Sequence, residues 1–247
     1  MSKIHLELIA TSADDCTLAQ SGGADRIELV SALAVGGLTP SLGLLLEARQ
    51  ATSLPIMAMV RPREAGFCYS PREFATMLRD AELLLRHGAD GLVFGVLTAD
   101  GQVDVARCRA LVQIANGKQA VFHRAFDVTP DPLAALDTLI DLGVTRVLTS
   151  GQQASALAGA ANIARFIEHA GEQIEILPGG GINSANVREL ITHTGCTQVH
   201  ASLSALLRDP STAGRPQIAF AGAPPAEGHY RIAKPAALAE MVRLLHG

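Results

Sequence analysis

Ionisable side chains end several short apolar runs of this sequence. Glu7, Glu28, Arg61, His123 and His200 each lie at or just beyond the C-terminal end of a predicted β-strand. Carboxylates and imidazoles can transfer protons, and arginine binds carboxylate or phosphate through paired donors. If these strand ends converge, the residues form one site for a small anionic ligand, with His123 as acid or base, Arg61 as the anion clamp and the others as further acids or polar contacts.

More polar residues follow the same strands and extend this candidate site. Asp127 lies just beyond His123 and could orient it or act as a base. An isolated His123-Arg124 pair has a simpler explanation, in which the histidine is hydrogen-bonded at a strand end and Arg124 pairs with Asp127. For Arg63, a solvated arginine in a loop is as good an explanation as a ligand-binding role. The further candidate ligand-binding residues are Arg63, Arg124, Thr149, Ser150 and Ser202.

Three glycines, Gly179, Gly180 and Gly181, follow the seventh predicted strand and lead toward a helix. Glycine lets backbone N–H groups approach an anion closely, and a helix N-terminus adds a favourable dipole. In (βα)8 enzymes the loops after the seventh and eighth strands often bind phosphate. The triplet is therefore a candidate anion-binding loop, although a tight turn alone would also explain it.

Eight strand-like runs alternate with amphipathic stretches and would position these groups. Such alternation indicates parallel strands joined by crossover helices, and eight units in about 250 residues match a closed barrel. The predicted fold class is α/β, a single (βα)8 TIM barrel with an irregular C-terminal extension and a terminal helix. A doubly wound open sheet is the alternative. The runs start near Ile4, Arg26, Pro55, Gly91, Ala120, Arg146, Glu175 and Gln198.

A repeated junction between the end of a helix and the next strand supports the barrel. Alternate strands follow a helix-ending glycine at the same short distance, as expected where side chains from alternate strands fill a barrel in layers. Successive side chains of a strand point to opposite faces, so Glu7, Glu28 and His200, each between apolar neighbours, should point into the barrel. The glycines at the four helix–strand junctions are Gly23, Gly88, Gly143 and Gly195.

The last part of the chain has a different pattern. Residues 1–204 form the predicted barrel body, and residues 205–247 form an extension that packs on the same domain. Proline-containing segments without a clear period predict irregular, partly mobile structure over residues 205–233. Helical spacing returns at Pro235–His246, which should cover the last strand or an interface.

Composition limits the classes of partner. The 247-residue chain has a net charge of −4, no run of Lys or Arg and no Trp, which argues against nucleic-acid binding. No apolar run is long enough to span a bilayer, and the N-terminus lacks the apolar core of a secretory signal. No Cys-x-x-Cys pair is present, so free thiols in a reducing cytoplasm are predicted for Cys16, Cys68, Cys108 and Cys196.

Several motifs together resemble the CutC family, which is named for copper homeostasis. The resemblance runs from about Leu6 to Ser202, with matching segments at residues 22–29, 36–41, 61–63, 94–95, 122–127, 148–151, 178–181 and 199–202. It implies a cytoplasmic barrel, a homo-oligomer, and a copper-linked role with copper as the suggested ligand. No enzymatic reaction comes with the family name.

The sequence departs from the family pattern where copper would bind. Cysteines proposed as Cu(I) ligands in the family often follow the glutamates of the first two strands, and Ile9 and Val30 stand at those places here. Neither side chain can replace the soft thiolates that select Cu(I). Cys68 and His200 remain as weak metal candidates.

Two functions are therefore open from the sequence. The first is copper binding in a cytoplasmic homeostasis role. The second is a TIM-barrel enzyme that acts on a small metabolite bearing phosphate or carboxylate, and the concentration of charges at the strand ends favours it on physical grounds. A non-catalytic interaction scaffold is a third possibility, which the same charges weaken.

Overall fold

Eight parallel strands form the wall of a barrel. The structure, a computed structural model, describes residues 3–215, 217–218 and 228–246. Neighbouring strands pair in sequence order from β1 to β7, β8 pairs with β1, and a parallel bridge between Gly179 and His200 completes the circle. The strands are β1 (His5–Ala10), β2 (Arg26–Leu29), β3 (Ile56–Met59), β4 (Gly91–Phe94), β5 (Gln119–Phe122), β6 (Arg146–Thr149), β7 (Glu175–Pro178) and β8 (Gln198–Ala201).

Helices connect these strands on the outside of the barrel and confirm the predicted (βα)8 fold class. The first five helices begin at Ser or Asp residues whose side chains accept a backbone N–H of the first turn. The helices are α1 (Ala13–Gly22), α2 (Leu42–Ala51), α3 (Pro71–Arg86), α4 (Val105–Ala115), α5 (Pro132–Asp141), α6 (Ala160–Ala170) and α7 (Val187–Thr194), followed after the barrel by α8 (Pro235–His246).

Two helices begin later than the sequence indicates. The pattern predicts helices from Ala154 and from Asn183, whereas α6 and α7 start further along the chain. Before α7, the side-chain amides of Asn183 and Asn186 donate to the carbonyl of Gly181 at 3.1 and 2.9 Å. These bonds fold the segment after β7 into a loop, because Asn side chains compete with the backbone for helical hydrogen bonds.

Strand alternation separates an outer from an inner apolar layer. In β1, Leu6, Leu8 and Ala10 are fully buried in the main core between strands and helices. Glu7 alternates with these residues and therefore points into the barrel, as predicted. A separate cluster fills the barrel interior with Val30, Met57, Met59, Val93 and Val121.

The C-terminal extension contains two strands that the sequence does not predict. β9 (Ser204–Arg208) pairs antiparallel with β10 (His229–Ala233), within the stretch expected to be irregular. Leu206, Leu207 and Tyr230 of this ribbon are exposed, so it buries too little apolar surface for strand alternation to mark it in the sequence. The sequence predicts irregular structure for residues 216 and 219–227 as well, and these lie outside the described residues.

Helix α8 packs against α1 and α7. Leu238 and Met241 of α8 are fully buried. A Cβ added to Gly22 of α1 would lie 2.9 Å from Cγ of Leu238, so this close approach requires glycine. Asp15 of α1 accepts the backbone N–H of Ala233 at 2.8 Å and joins the end of β10 to the barrel. In the described part of the chain, no helix is long and apolar enough to cross a membrane.

Candidate functional site

A cavity of about 420 Å³ opens at the C-terminal ends of the strands. Four of the five ionisable residues that the sequence places at strand ends, Glu28, Arg61, His123 and His200, line this cavity. The fifth, Glu7, lies beneath it and contacts His200. Apolar side chains complete the wall, among them Ile9, Val30, Met59, Phe67 and Leu148.

Glu7, His200 and Glu28 form a buried row across β8, β1 and β2. Nδ1 of His200 lies 2.8 Å from Oε1 of Glu7, and Nε2 lies 3.7 Å from Oε2 of Glu28. The other oxygen of Glu7 accepts a hydrogen bond from Nε of Arg26. Arg26 lies on the same face of β2 as Glu28, because the two residues are two positions apart on the strand. Arg26 is not among the site residues predicted from the sequence, although this spacing could have indicated it.

These contacts move three pKa values in different directions. Burial favours neutral Glu7, but Arg26 and His200 outweigh it and hold the pKa of Glu7 well below its usual range. Burial, together with the nearby charge of Glu7, raises the pKa of Glu28 to about 7. Burial opposes the charged imidazolium of His200, yet the carboxylates of Glu28 and Glu7 outweigh it and raise the pKa of His200. Near neutral pH, Glu28 is therefore the group best placed to gain or lose a proton.

His123 presents a neutral hydrogen-bond donor to the cavity. Its Nδ1 accepts the backbone N–H of Ala125 at 3.1 Å, so the neutral ring carries its proton on Nε2. That nitrogen is buried and has no partner among the described residues. Burial, and then the charge of Arg61, lower the pKa of His123 to about 3. These surroundings favour a donor role over the acid–base role that the sequence suggests.

Arg61 holds two loops in addition to lining the cavity. Its Nη1 donates to the carbonyls of Val35 and Gly37 at 3.0 and 2.9 Å, and its Nη2 donates to Ala65 at 2.9 Å. Its Nε is buried and has no partner in the described part of the chain. Its Nη donors thus fix the loops after β2 and β3. The buried hydroxyl of Tyr69, which lies outside the cavity lining, also interacts with this guanidinium.

Two residues that shape the surroundings of His123 were not among the predicted site residues. The ring of Phe67 has its centroid 4.9 Å from that of His123 and 5.3 Å from Cζ of Arg61. Gly95 leaves room for the imidazole, because an added Cβ would lie 2.5 Å from Nδ1. Phe67 belongs to a loop without a periodic pattern, so the sequence does not predict its place in the site. Gly95 directly follows β4, and strand alternation predicts that it faces the barrel interior.

Asp127 joins Arg124, Thr149 and Ser150 instead of His123. It accepts hydrogen bonds from Nε of Arg124 at 2.8 Å, Oγ1 of Thr149 at 2.5 Å and the backbone N–H of Ser150 at 3.0 Å. Asp127 does not orient His123, since no hydrogen bond connects the two within the described residues. The reason is that the carboxylate turns toward the loop after β6, where these donors occupy its oxygens. Thr149 and Ser150 thus hold Asp127, and neither lines the cavity.

The glycine loop reaches the cavity through two of its three members. Gly180 and Gly181 line it with φ angles of 113° and 73°, which only glycine adopts without strain. Neither of their N–H groups donates to another described residue, whereas the N–H of Gly179 donates to the carbonyl of Thr149 at 2.9 Å. Gly179 therefore lies outside the candidate anion site, whereas Asn186, the N-cap residue of α7, donates from its side chain to the carbonyl of Gly181 at 2.9 Å.

Arg124 and Ser202 complete this side of the cavity. A Cβ added at Gly180 would lie 3.6 Å from Nη1 of Arg124, which places the guanidinium beside the glycine loop. Nη1 makes no hydrogen bond to the part of the chain that the structure describes, while Nη2 donates to Oγ of Ser150 at 2.6 Å. One guanidinium, two backbone amides and one hydroxyl thus form a candidate anion-binding corner, in which the carboxylate of Asp127, itself part of the lining, pairs with Arg124.

Arg63 and Cys68 lie outside the cavity lining. Nε of Arg63 donates to Oε1 of Glu73 at 2.6 Å, and its Nη groups donate to carbonyls of its own loop, including that of Cys68 at 2.9 Å. Arg63 therefore ties the loop after β3 to the start of α3, which matches the alternative of a loop arginine. The Cys68 thiol is exposed.

Three buried polar atoms without partners belong to residues that line this one cavity. They are Oε1 of Glu28, Nε of Arg61 and Nε2 of His123, and they make up half of the six such side-chain atoms in the described residues. Each unsatisfied buried group costs about 1–3 kcal/mol, so their concentration indicates a place where a ligand completes the hydrogen bonds.

A larger cavity of about 490 Å³ opens at the opposite, N-terminal face of the barrel. Its charged and amide lining, including Arg26, Glu175 and Gln198, is hydrogen-bonded internally: Arg26 donates to Gln198 at 3.0 Å, and Gln198 donates to Glu175 at 3.3 Å. None of the candidate catalytic or ligand-binding residues lines it. The mouth cavity is therefore the candidate functional site, despite its smaller volume.

The carboxylates of Glu7 and Glu28 and the imidazole of His200 offer ligand atoms within 4.8 Å of one another. Such donors suit Zn(II) or Cu(II) better than Cu(I), which prefers thiolates. Both oxygens of Glu7 are already bonded, one of them to the guanidinium of Arg26, and Nδ1 of His200 is bonded to Glu7. The row is therefore a balanced ion network without an added cation.

The cysteines do not supply a Cu(I) site at the mouth. Cys16, Cys108 and Cys196 are buried, and none of the four cysteines lines the mouth cavity. Burial raises the pKa of Cys16 and of Cys108 to about 12, so both remain thiols at neutral pH. Ile9 and Val30, at the places of the family's proposed ligands, line the cavity as hydrocarbon. The residues present at the mouth therefore do not fit Cu(I).

Comparison with known proteins identifies the family. The CutC family model matches residues 4–205. A CutC family protein of Treponema denticola is 53% identical over 90% of this chain and 91% of its own length. The human copper homeostasis protein cutC homolog is 46% identical over 80% of this chain and 72% of its own length. The crystal structure of CutC from Streptococcus agalactiae has a TM-score of 0.76 at 34% identity, covering 80% of this chain and 97% of that one. The chain belongs to the CutC family.

Proposed function

We propose that this protein takes part in copper homeostasis in the cytoplasm, as a homo-oligomer. The observation that carries the proposal is membership of the CutC family, together with 46% identity to the human protein named for copper homeostasis. The cavity at the barrel mouth is the proposed functional site, because it collects Glu28, Arg61, His123 and His200.

Deletion of the gene tests this role in cells. Growth in rising copper concentrations and total cell copper should both differ from the parent strain, and the wild-type gene should restore them. A deletion strain with unchanged copper tolerance and unchanged copper content would contradict the proposal. A second complementation with Glu28→Gln would show whether the mouth cavity is involved.

The direct binding prediction is that the purified protein has no tight Cu(I) site at the mouth. The physical reason is that Ile9 and Val30 offer no thiolate, and both ring nitrogens of His200 face carboxylates. Competition against a Cu(I) chelator under anaerobic conditions should give only weak binding, which Cys68→Ser removes because Cys68 is the exposed thiol. Tight stoichiometric binding that survives Cys68→Ser would show that the ligands lie elsewhere.

A second candidate function is binding and conversion of a small metabolite that carries phosphate or carboxylate. The observation that favours it is the set of three unpartnered buried atoms at one cavity, together with the Arg124, Gly180 and Gly181 corner. Copper handling alone does not account for these atoms, since two of the three are N–H donors and cannot bind a cation.

Inorganic phosphate titrated by calorimetry tests this candidate. Arg124→Ala should weaken binding by about 1.5–3 kcal/mol, the usual value of a hydrogen bond to a charged group. Arg63→Ala is the matched control, because it removes the same kind of side chain from the same face of the barrel but outside the cavity. Equal losses in both variants, or no phosphate binding by the wild type, would contradict an anion site at the mouth.

A further inference from the structure

One acceptor and two donors, all buried and unpartnered, belong to the lining of the same cavity: Oε1 of Glu28, Nε2 of His123 and Nε of Arg61. This combination suits a ligand in which one atom releases a proton while a neighbouring oxygen gains negative charge. We propose that the cavity transfers a proton at a carbon next to a carbonyl group, with Glu28 as the base. The proposal rests on the second candidate function, ligand binding at the mouth.

The reaction step balances without another reactant. The carbon–hydrogen bond breaks and its proton passes to the Glu28 carboxylate. The electron pair of that bond forms a carbon–carbon double bond, and the carbonyl π pair moves onto oxygen. Nε2–H of His123 and Nε–H of Arg61 donate hydrogen bonds to that oxygen. Return of the proton from Glu28 to carbon restores a carbonyl compound, so no oxidant, reductant or second substrate is required.

The surroundings of Glu28 suit a base that works near neutral pH. The charged groups that face it are Glu7 on β1, His200 on β8 and Arg26 on its own strand. The other ionisable groups of the cavity wall are Arg61, His123, Arg124 and Asp127. Burial raises its pKa to about 7, so the carboxylate and the acid coexist at neutral pH. Glu7 lies deeper and is held ionised by Arg26 and His200, which leaves Glu28 as the exchanging group.

His123 and Arg61 are suited to stabilise the oxyanion. A neutral imidazole donates to a developing negative charge without giving up its own proton, and its Nδ1 bond to Ala125 fixes that tautomer. Arg61 has its Nη groups committed to three backbone carbonyls, so its remaining Nε–H is held in one direction. Preorganised donors of this kind stabilise a transition state because they need no rearrangement when charge appears.

The anion-binding corner defines the substrate class. Arg124, Gly180 and Gly181 offer donors at a part of the wall formed by the loops after β5 and β7, separate from the loops that hold Arg61. A small carbonyl compound with a carboxylate or phosphate could place the anionic group there and its acidic carbon beside Glu28. Ordered water could also satisfy the three unpartnered atoms, and a binding experiment separates the two explanations.

Oxalate and malonate form a suitable pair of probes for metal-free wild-type protein. Oxalate has two adjacent trigonal carbons that carry oxygens, as in an enolate beside a carboxylate, whereas malonate has similar charge and a tetrahedral carbon. Calorimetry should show oxalate binding at least about 100-fold tighter than malonate, as expected for an intermediate analogue. In buffers of different ionisation enthalpy at roughly pH 8, oxalate binding should take up a proton, because the dianion requires neutral Glu28.

Glu28→Gln provides the matched variant. It should bind oxalate without proton uptake, because the amide is neutral at every pH. If this variant does not fold, the wild type decides alone, since uptake should nearly vanish at roughly pH 5.5, where Glu28 is already protonated.

Three results would overturn the proposal. They are equal affinity for oxalate and malonate, proton uptake that is the same at both pH values, and proton uptake that persists in Glu28→Gln. Phosphate binding without an oxalate preference would remove the proton-transfer step and leave the anion site in place. If neither phosphate nor oxalate binds, the second candidate function and this inference both fail.

Discussion

At the scale of single residues, the chemistry of the mouth depends on how neighbours set two protonation states. Burial and the charge of Arg61 keep His123 neutral. Burial and the charge of Glu7 raise the pKa of Glu28 to about 7, so its carboxyl group is partly ionised near neutral pH. Each of these side chains also retains one unpartnered atom. A buried donor and a buried proton acceptor in one cavity are more informative than the residue types alone, because surface His and Glu residues rarely have such properties.

The position of the His123 ring depends on Gly95. A Cβ at residue 95 would lie 2.5 Å from Nδ1 of His123 and 2.7 Å from Cβ of Ala125, so Gly95→Ala must displace the imidazole. We expect a loss of about 1–3 kcal/mol in the free energy of unfolding, as for other overpacked sites. Urea unfolding measures the loss, and nitrogen chemical shifts of the ring report whether Nδ1 still accepts from Ala125.

Gly66→Ala is the control for this substitution. It adds the same methyl group in the loop after β3, where nothing lies within 4 Å of the added Cβ. If Gly95→Ala were as stable as Gly66→Ala and left the His123 shifts unchanged, the ring would have more room than the structure shows.

At the scale of elements, strand parity and register contribute differently to the site. Parity alone places Glu7, Glu28 and His200 inside the barrel, and it can be predicted from the apolar residues on either side of them. Register pairs Glu7 with Arg26 on one side and with His200 on the other, and this pairing follows from closure of the sheet. The sequence therefore predicts which strand residues point inward, but not which of them form ion pairs.

The sequence predicts the loops less well than the strands, for a physical reason. After β5 the chain forms a short 3-10 helix, Arg124–Val128, which turns Asp127 away from His123 and toward β6. The loop after β3 likewise commits Arg63 to Glu73 and to its own carbonyls. Neither direction follows from residue type or spacing, because a loop side chain is oriented by tertiary partners and not by a repeating backbone pattern.

The raised pKa of Glu28 predicts a pH-dependent cost to stability. In the folded protein this pKa is about 7, against a reference value of 4.5, so the folded state holds the proton more tightly than the unfolded chain. The contribution of Glu28 is therefore favourable below 4.5 and is lost as pH rises toward 7. Glu28→Gln should become more stable relative to the wild type over that window, by up to about 3 kcal/mol, and the difference should then stay level.

Urea unfolding at a series of pH values measures this difference. Glu168→Gln on α6 is the control, because it makes the same change of side chain at an exposed position. A difference between Glu28→Gln and the wild type that is constant from pH 4.5 to 7 would mean that Glu28 titrates as in the unfolded chain.

At the scale of the whole molecule, the chain returns to its beginning after the eighth strand. The β9–β10 ribbon leads into α8, which packs against α1 and α7 on either side of the join between β8 and β1. Asp15 of α1 binds the backbone of Ala233, and His246 near the end of α8 lies 3.3 Å from the carbonyl of Ile4. The C-terminal segment thus covers the place where the barrel closes, and we predict that it unfolds together with the barrel.

Leu238→Ala tests this coupling between the extension and the barrel. Leu238 is fully buried and packs on Gly22 of α1, so its truncation should leave a cavity and lower the free energy of unfolding by about 2–5 kcal/mol. Leu206→Ala, an exposed position on β9, should change stability by only about 0.5 kcal/mol. Urea unfolding should show one transition for both variants, because α8 contributes to the same core as α1. A separate early transition in Leu238→Ala, with the midpoint of the main transition unchanged, would show instead that residues 205–247 form an independent unit.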